Sequence, residues 1–246
     1  ARARVARVLG FRPADIVFTS GGTEADILAV KGLAIGAALR RRAPVHVITT
    51  AIEHEAILAS CDYLERVHGF AVTRLPVDAT GTVDPDDLAA AIRPDTAVVS
   101  IGYANNEIGT VQDAAALASV TAAAGVPLHL DAVQAAGWLP LAGTGADALS
   151  LAGHKVGAPQ GIGLLAVRSR LPLEPVLHGG GQERDRRSGT ENLAGIIGLT
   201  TALELAEAER AESASRVSAL RDAFIARVLE RVPSARLTGH PTRRLP

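Results

Sequence analysis

Short apolar runs alternate with longer amphipathic segments along the chain. Seven of these runs, each bounded by turn residues, predict strands: 15–20, 45–50, 70–77, 96–103, 127–133, 146–152 and 161–167. Amphipathic segments predict helices at 1–10, 21–42, 53–69, 84–93 and 113–125. The segment 190–232 predicts either two consecutive helices or one bent rod.

The alternation of strands with helices determines the expected fold class. Strands joined through helices of about ten residues or more form parallel pairs with right-handed crossovers. The strands are nearly continuous apolar runs, which is typical of a sheet covered by helices on both faces. We therefore predict an α/β protein with a mostly parallel, seven-stranded type of sheet, without internal repeats or linkers.

Composition narrows the classes of function. The chain of 246 residues has a net charge of −1, which gives no electrostatic basis for binding nucleic acid or an anionic membrane. No apolar run reaches the ~18 residues of a membrane span. The single cysteine, Cys61, cannot form an internal disulfide, which suits a reducing compartment and favours a cytoplasmic protein.

The start of the chain has the pattern of a helix already in progress. No capping residue or signal pattern precedes it, and the chain contains no methionine. We expect an internal fragment of a longer protein, in which a targeting segment ahead of Ala1 would lie outside the sequence.

Polar residues at the carboxyl ends of the strands are the candidates for function, because ligands of parallel sheets bind there. Gly21, Gly22 and Thr23 follow the first strand and open a helix, whose free N–H groups and dipole favour a phosphate or carboxylate. The alternative is a plain glycine turn with Thr23 as the helix cap. His54 follows the second strand, where it either caps a helix or presents a flat ring to a ligand.

Amides and one carboxylate follow the central strands. Asn105 and Asn106 follow the fourth strand and can orient a ligand oxygen, although Asn-Asn pairs are also common in turns. Asp131 ends the fifth strand, and no Lys or Arg lies within twenty residues of it. Its charge therefore needs a partner from across the fold or from a ligand. Gln134 can face the same space.

Lys155 is one of only two lysines among 25 basic residues. It follows His154 in an apolar, glycine-rich segment after the sixth strand. Arginine stays protonated, whereas a lysine amine can form an imine. Taken alone, Lys155 favours a loop lysine with its ammonium in water, and covalent chemistry is the alternative that the rest of the chain has to decide. A loop rich in glycine and arginine, 179–192, leads into the last helical segment at Thr190; alone, it is typical of a solvated basic loop.

Together these residues supply what pyridoxal 5'-phosphate (PLP) requires. The cofactor has a phosphate, a pyridine nitrogen, a phenolic oxygen, a flat ring and an aldehyde. The helix start at Gly22 and Thr23 matches the phosphate, and Asp131 matches the pyridine nitrogen. Asn106 with Gln134 matches the phenolic oxygen, His54 the flat ring and Lys155 the aldehyde.

The chain resembles the class V aminotransferase family, and within it the NifS/IscS-type cysteine desulfurases. Six segments carry the resemblance in family order and spacing: FTSGGTEAD, EHEAIL, ANNEIGTVQD, HLDAVQAAG, LAGHKVGAPQGIG and GGGQERDRRSGTENLAGIIG. RSGTEN and NNEIG are the most specific and favour this branch over SufS-type desulfurases. The resemblance implies the PLP-binding large domain of a fold type I transferase at 1–232, incomplete at its N-terminus, with 233–246 starting a C-terminal small domain.

The resemblance also implies roles for individual residues. Lys155 binds the cofactor covalently and then carries protons. Asp131 holds the proton of the pyridine nitrogen, while His54 stacks on the ring and assists proton transfer. Asn106 and Gln134 contact the phenolic oxygen.

A phosphate site and a subunit arrangement are implied in the same way. Gly22, Thr23 and His154 bind the phosphate, and Thr190 reaches the phosphate of the neighbouring subunit in a homodimer. The whole enzyme converts L-cysteine to L-alanine and holds the sulfur as a persulfide on an enzyme cysteine. An acceptor such as an iron–sulfur scaffold protein, or tRNA thiolation, then uses that sulfur.

The sequence departs from the family pattern at several positions. Ala152 stands where a serine commonly helps to bind phosphate, Asp185 where glycine is usual, and Ile27 where asparagine is common. The family's nucleophilic cysteine and the arginine that holds the substrate carboxylate belong to a later segment, beyond Pro246. Cys61 lies within a helix and is expected to be a buried, inert thiol.

Two alternatives stay open. One is another class V PLP enzyme, such as a selenocysteine lyase or an aminotransferase. The other is a PLP-fold fragment without catalytic activity. On the desulfurase hypothesis, the chain by itself is expected to be inactive.

Overall fold

The computed structural model describes all residues, 1–246. Helices α1 to α7 span Arg2–Leu9, Gly22–Arg41, Glu55–His68, Pro85–Ala91, Ala114–Ala124, Gln182–Asp185 and Leu193–Arg231. Strands β1 to β7 span Ile16–Thr19, His46–Thr50, Ala71–Leu75, Thr96–Gly102, Leu128–Asp131, Ala148–Ala152 and Gly163–Val167. Every predicted strand and helix is present, with its ends shifted by a few residues.

The seven strands form one sheet in the order β1-β7-β6-β5-β4-β2-β3. Neighbouring strands from β6 to β3 in this order are parallel, whereas β7 is antiparallel to both β6 and β1. The mostly parallel sheet is thus confirmed, and β7 is its exception. No helix of the crossover type separates β6 from β7, so the chain returns directly alongside the strand it has just left.

Helices cover both faces of the sheet, as the continuous apolar strands predict. Val17 belongs to a core cluster with residues of α2 and α3. Its neighbours Ile16 and Phe18 point to the opposite face, where they pack in a larger cluster with α1, α4, α5 and the start of α7. No helix combines the length and the apolar composition needed to cross a bilayer.

The helix ends follow local capping chemistry. Asp84 caps α4 by accepting a hydrogen bond from the Asp86 N–H (2.9 Å), and Gly125 ends α5 in the left-handed conformation. The last helix starts at Leu193 rather than at Thr190, because Asn192 caps it through the Gly195 N–H (3.0 Å). It is one continuous helix of 39 residues, which decides between the two predicted forms.

The last residues of the chain return to the body of the domain. The Val111 N–H donates to the Arg243 carbonyl (2.9 Å), and the Leu245 N–H donates to the Gly109 carbonyl (2.8 Å). The segment 233–246, predicted as the start of a second domain, therefore lies against the loop that follows β4.

The arginine-rich loop before α7 is anchored rather than free. Glu183, Arg184 and Asp185 all adopt positive φ angles of 50° to 61°, which glycine adopts without strain and aspartate tolerates better than most residues. The Glu183 carboxylate is buried and accepts hydrogen bonds from Arg2 Nη1 (2.7 Å) and Arg2 Nη2 (2.8 Å). Arg186 donates to the Ile16 carbonyl (3.1 Å). The loop expected to be solvated is therefore held against α1 and β1.

Arg2→Ala is expected to lower the free energy of unfolding by about 2–4 kcal/mol, because it leaves the buried Glu183 carboxylate without its cation. Arg4 is a matched control on the same helix: its contact with Glu204 (Nε–Oε2, 2.9 Å) is exposed. Arg4→Ala should therefore have a much smaller effect, because an exposed ion pair contributes little to stability. Denaturant unfolding of both variants measures the difference, and equal losses would contradict the assignment of the Arg2 pair as the anchor.

Candidate active site

A cavity of about 530 Å³ opens at the carboxyl edge of the sheet, where the strand ends meet the start of α2. Eight of the nine predicted site residues line it: Gly22, Thr23, His54, Asn106, Asp131, Gln134, His154 and Lys155. The ninth, Thr190, is exposed and lies outside this lining. Five separate segments of the chain thus converge on one space.

The start of α2 is open to a ligand. Gly21 is the capping residue and no side chain accepts the first N–H groups, so Thr23 is not a helix cap. A Cβ on Gly22 would lie 2.8 Å from Val133 Cγ2 and 3.2 Å from Ala152 Cβ, so only glycine fits between these walls. The free N–H groups and the helix dipole favour an anion, and Ala152 contributes no hydroxyl to it.

Asp131 forms the floor of the cavity at the end of β5. Its carboxylate accepts one hydrogen bond, from the Val133 N–H (2.9 Å). Burial raises the pKa of Asp131, while that hydrogen bond and the nearby His54 act in the opposite direction; no arginine or lysine offsets the burial. No lysine or arginine from elsewhere in the fold pairs with Asp131. A partner supplied by a ligand, the other source expected from the sequence, stays a prediction.

His54 both caps α3 and faces the cavity. Its Nδ1 accepts the Ala56 N–H (3.1 Å), which assigns the proton of the neutral imidazole to Nε2. Of the two sequence-based alternatives for this residue, the helix cap is present. Because the side chain also lines the cavity, the ring presented to a ligand stays a prediction.

Lys155 and His154 lie on a single 3-10 turn, Gly153–Val156, directly after β6. A Cβ on Gly153 would lie 2.7 Å from Ile162 Cγ2, so the turn packs tightly on the segment before β7. Both side chains are exposed and line the cavity. The position of the lysine is thus set by a rigid strand end.

The two consecutive asparagines have different environments. Asn105 donates to the Ile52 carbonyl (3.0 Å) and accepts the Glu107 and Ile108 N–H groups (2.9 and 3.0 Å), which stabilises the turn. Asn106 is exposed and lines the cavity. The turn chemistry therefore belongs to Asn105, and its neighbour is available to a ligand.

Sequence reasoning missed three carboxyl groups at this site, Glu24, Glu53 and Asp26. Glu24 lines the cavity and pairs with Arg187 (2.7 Å). Glu53 accepts the Thr50 hydroxyl (2.7 Å) and the Gly102 N–H (2.7 Å), and so joins the ends of β2 and β4 immediately before His54. Burial raises the pKa of Glu53 to about 8. Its place within EHEAIL, next to a predicted site residue, was the only signal for it.

Cys61 is fully buried among the residues of α2 and α3. Burial raises the pKa of its thiol to about 12, so about one molecule in 10⁴ carries the thiolate at about pH 8. The expected inert thiol fits this environment.

We expect Cys61 to resist alkylation in the native protein and to react at the ordinary rate after unfolding. Iodoacetamide labelling followed by mass spectrometry of the Cys61 peptide, in native buffer and in denaturant, measures both rates. Comparable labelling in the two conditions would contradict the buried environment.

Comparisons with known proteins identify the family. The family model described as Aminotransferase class-V matches residues 1–246. Cysteine desulfurase IscS of Methanosarcina thermophila is 47% identical over 100% of this chain and 60% of its own length, and that of Dictyoglomus turgidum is 43% identical over 100% and 62%. The chain therefore spans about 60% of the length of these curated relatives.

Solved structures give the same result. A NifS-like protein superposes with a TM-score of 0.92 at 35% identity, covering 99% of this chain and 66% of that one. DndA from Streptomyces lividans also superposes with a TM-score of 0.92, at 36% identity, covering 99% of this chain and 69% of that one. A structure of SspA in complex with cysteine superposes with a TM-score of 0.78 at 42% identity, covering 82% of this chain and 58% of that one.

Proposed function

The chain belongs to the class V aminotransferase family, and from this membership we propose that it forms the PLP-binding part of a cysteine desulfurase. The observation that carries the proposal is the convergence of eight candidate residues, including a carboxylate without a cation, on one cavity. Relatives named as cysteine desulfurases support the choice of reaction.

The cavity fits PLP in its chemistry. Gly22, Thr23 and His154 would bind the phosphate, since α2 presents uncapped N–H groups between walls that exclude a Cβ. Asp131 would pair with the ring nitrogen and so gain the cation that the fold does not supply. Asn106 and Gln134 would hold the phenolic oxygen, and Lys155 would hold the cofactor covalently.

When bound, PLP withdraws electrons from the substrate Cα and so permits the loss of its proton. Asp131 keeps the ring nitrogen protonated, because a carboxylate beside it favours the charged form. Lys155 Nζ, which lines the same cavity, would be the base that takes the Cα proton and later returns it. Both groups stand on strand ends, which fixes their separation.

His54 is assigned to stacking and orientation. Protonation at Nδ1 would require the loss of the α3 cap, because that nitrogen already accepts the Ala56 N–H. The neutral ring can therefore present a face and an Nε2–H donor. Proton transfer, the second role expected from the resemblance, is favoured less by this geometry.

The reaction proposed for the whole protein is the conversion of L-cysteine and an enzyme thiol to L-alanine and an enzyme persulfide. The Cβ–S bond of the substrate breaks with its electron pair left on carbon, an S–S bond to the enzyme thiol forms, and one proton takes the place of the sulfur on Cβ. Cys61 is unsuited as that thiol, being buried with a raised pKa. The proposal thus requires a thiol from outside these 246 residues.

The wider arrangement is proposed on the same basis. Thr190 is exposed and lies away from the cavity of its own subunit, which supports a homodimer in which it serves the neighbouring phosphate site. A sulfur-acceptor protein such as an iron–sulfur scaffold would receive the persulfide. The lone buried thiol is consistent with the reducing cytoplasm.

The test is to incubate the whole protein that contains this chain with PLP, L-cysteine and a reductant, and to measure the visible absorption of bound cofactor, alanine and sulfide. We expect a visible band and equal amounts of alanine and sulfide. A visible band without alanine would favour a lyase or aminotransferase of other specificity. Absence of the band would overturn the cofactor assignment.

A further inference from the structure

Asp26 shares the cavity with two other carboxyl groups, Glu24 and Asp131, and has no assigned role. It lies on the first turns of α2, is 2% exposed and lines the same space as Asp131 and Lys155. Its Oδ1 has no hydrogen-bond partner. A buried carboxylate with an unpartnered oxygen would be costly, so the group needs a proton or a cation.

The nearest basic side chain does not supply a cation. His129 Nε2 lies 3.9 Å from Asp26 Oδ1, but the ring is engaged by the hydroxyls of Ser150 (2.8 Å, Nε2) and Ser100 (2.9 Å, Nδ1). Burial lowers the pKa of His129 to about 3, so the imidazole is neutral. The pair is therefore not an ion pair.

Asp15 shows what a buried carboxylate in this fold needs in order to stay charged. It is 0% exposed, yet it accepts hydrogen bonds from Arg12 Nη2 (3.1 Å) and the Ser169 N–H (2.9 Å), with Arg168 3.8 Å away. Although burial acts to raise the pKa of Asp15, these partners lower it overall. Asp26 has the same burial without any arginine.

Other carboxyl groups add to the effect of burial on Asp26. Burial raises its pKa well above the usual range, Asp131 and Glu53 raise it further, and only the Ser150 hydroxyl acts in the opposite direction. Strands β1, β4, β6 and β7, which pack against α2, contain no titratable residue.

The remaining titratable neighbours give no fixed cation either. From β5 come His129 and Asp131, and from α3 comes the buried Cys61 thiol, whose pKa is raised. Across the cavity, His54 and Lys155 are exposed to solvent. Glu24 also lines the cavity, but its carboxylate is paired with Arg187 (2.7 Å). Neither Asp26 nor Asp131 has such a partner.

We propose that Asp26 is an uncharged positioning residue, a carboxylic acid that keeps its proton at neutral pH and leaves Asp131 as the one carboxylate for the cofactor nitrogen. The role toward PLP rests on the proposed function. As an acid, Asp26 can donate a hydrogen bond within the cavity, whereas a charged Asp26 could only accept one. Asp26 is thus protonated and Asp131 is charged, because their positions in the fold differ.

The first test uses the protein without cofactor and compares Asp26→Asn with the matched control Asp15→Asn. Native Asp26 keeps a proton that the unfolded chain releases above about pH 4, so the group lowers stability as the pH rises. Asp26→Asn is expected to raise the thermal midpoint by about 2–4 °C at about pH 8, and by less at about pH 5. Asp15→Asn should lower the midpoint, because it removes a charge that its arginines stabilise.

Asp26→Ala serves as the second variant, should the asparagine not be accommodated. In this variant too, the part of the fall in thermal midpoint with rising pH that Asp26 causes should disappear, because the titrating group is removed. A shift of the Asp26→Asn midpoint that is the same at about pH 5 and at about pH 8, or a pH dependence in Asp26→Ala equal to that of the wild type, would overturn the proposal.

The second test titrates PLP onto each variant and follows the visible absorption. Asp26→Asn is expected to weaken binding by less than about tenfold, whereas Asp131→Asn should weaken it by about 30-fold to 1,000-fold. Equal losses would show that both carboxylates are charged and would overturn the proposal. If the wild type itself binds no PLP, the proposed function fails, while the cofactor-free thermal test still decides the charge state of Asp26.

Discussion

Lys155→Ala is expected to abolish covalent binding of PLP and to lower kcat for alanine formation by about 10⁴-fold. Lys155 stands on the turn after β6 and lines the cavity. On the proposed function, the substitution removes the amine that attaches the cofactor and, with it, the base for the substrate Cα proton. One change therefore removes two functions, which makes this the largest expected effect.

The chain offers a matched control, since Lys31 is the only other lysine. Its Nζ lies 3.9 Å from the Tyr63 ring centroid, on the outer side of α2. Lys31→Arg preserves a cation over the ring and should keep full activity. Lys155→Arg should be as inactive as Lys155→Ala, because a guanidinium cannot replace the amine.

The measurement is borohydride reduction of the PLP-loaded protein followed by peptide mapping. The label is expected on the Lys155 peptide in the wild type and in Lys31→Arg, and on no peptide in Lys155→Ala. Retention of the visible band and of alanine formation by Lys155→Ala would refute the assigned role.

Asp131→Asn has the second largest expected effect, a decrease in kcat of about 10³-fold. The asparagine can still accept the Val133 N–H through its side-chain oxygen, so the local structure should persist. What is lost is the negative charge that keeps the cofactor nitrogen protonated. The loss should appear mainly in kcat, because the withdrawal of electrons from the substrate depends on that proton.

Asp95→Asn provides the same chemical change at the opposite edge of the sheet. Asp95 lies just before β4 and forms an exposed pair with Arg93, so activity should be unaffected and stability should change by less than about 1 kcal/mol. Steady-state kinetics with both variants tests the role, and a kcat for Asp131→Asn within about tenfold of the wild type would refute it.

Periodicity alone predicted the seven strands, the helices between them and the predominance of parallel pairing. These features are local, since they depend on which residues can form continuous apolar strands and amphipathic helices. The antiparallel β7 has no such signature, because a strand buried on both faces looks the same in either direction. Only the short connection after Lys155 hints that the chain turns back there.

Part of the candidate site could also be predicted from the sequence. Gly22, His54, Asp131 and Lys155 could be found because each directly follows a strand, and the carboxyl ends of parallel strands meet at one edge. Asp26 could not be found in this way, since it lies within a helix and looks like any polar residue facing solvent. Its burial depends on how α2 packs over His129 and Ser150.

The sequence by itself determined the elements, the fold class and the residue types that PLP chemistry requires, because all three are written in local patterns. Only the tertiary structure decided which charges have partners: Asp15 lies beside two arginines, while Asp26 and Asp131 have none. The protonation state of a buried carboxyl group depends on distances between segments remote in the chain. Those distances exist only after the sheet has assembled and the helices have closed over it.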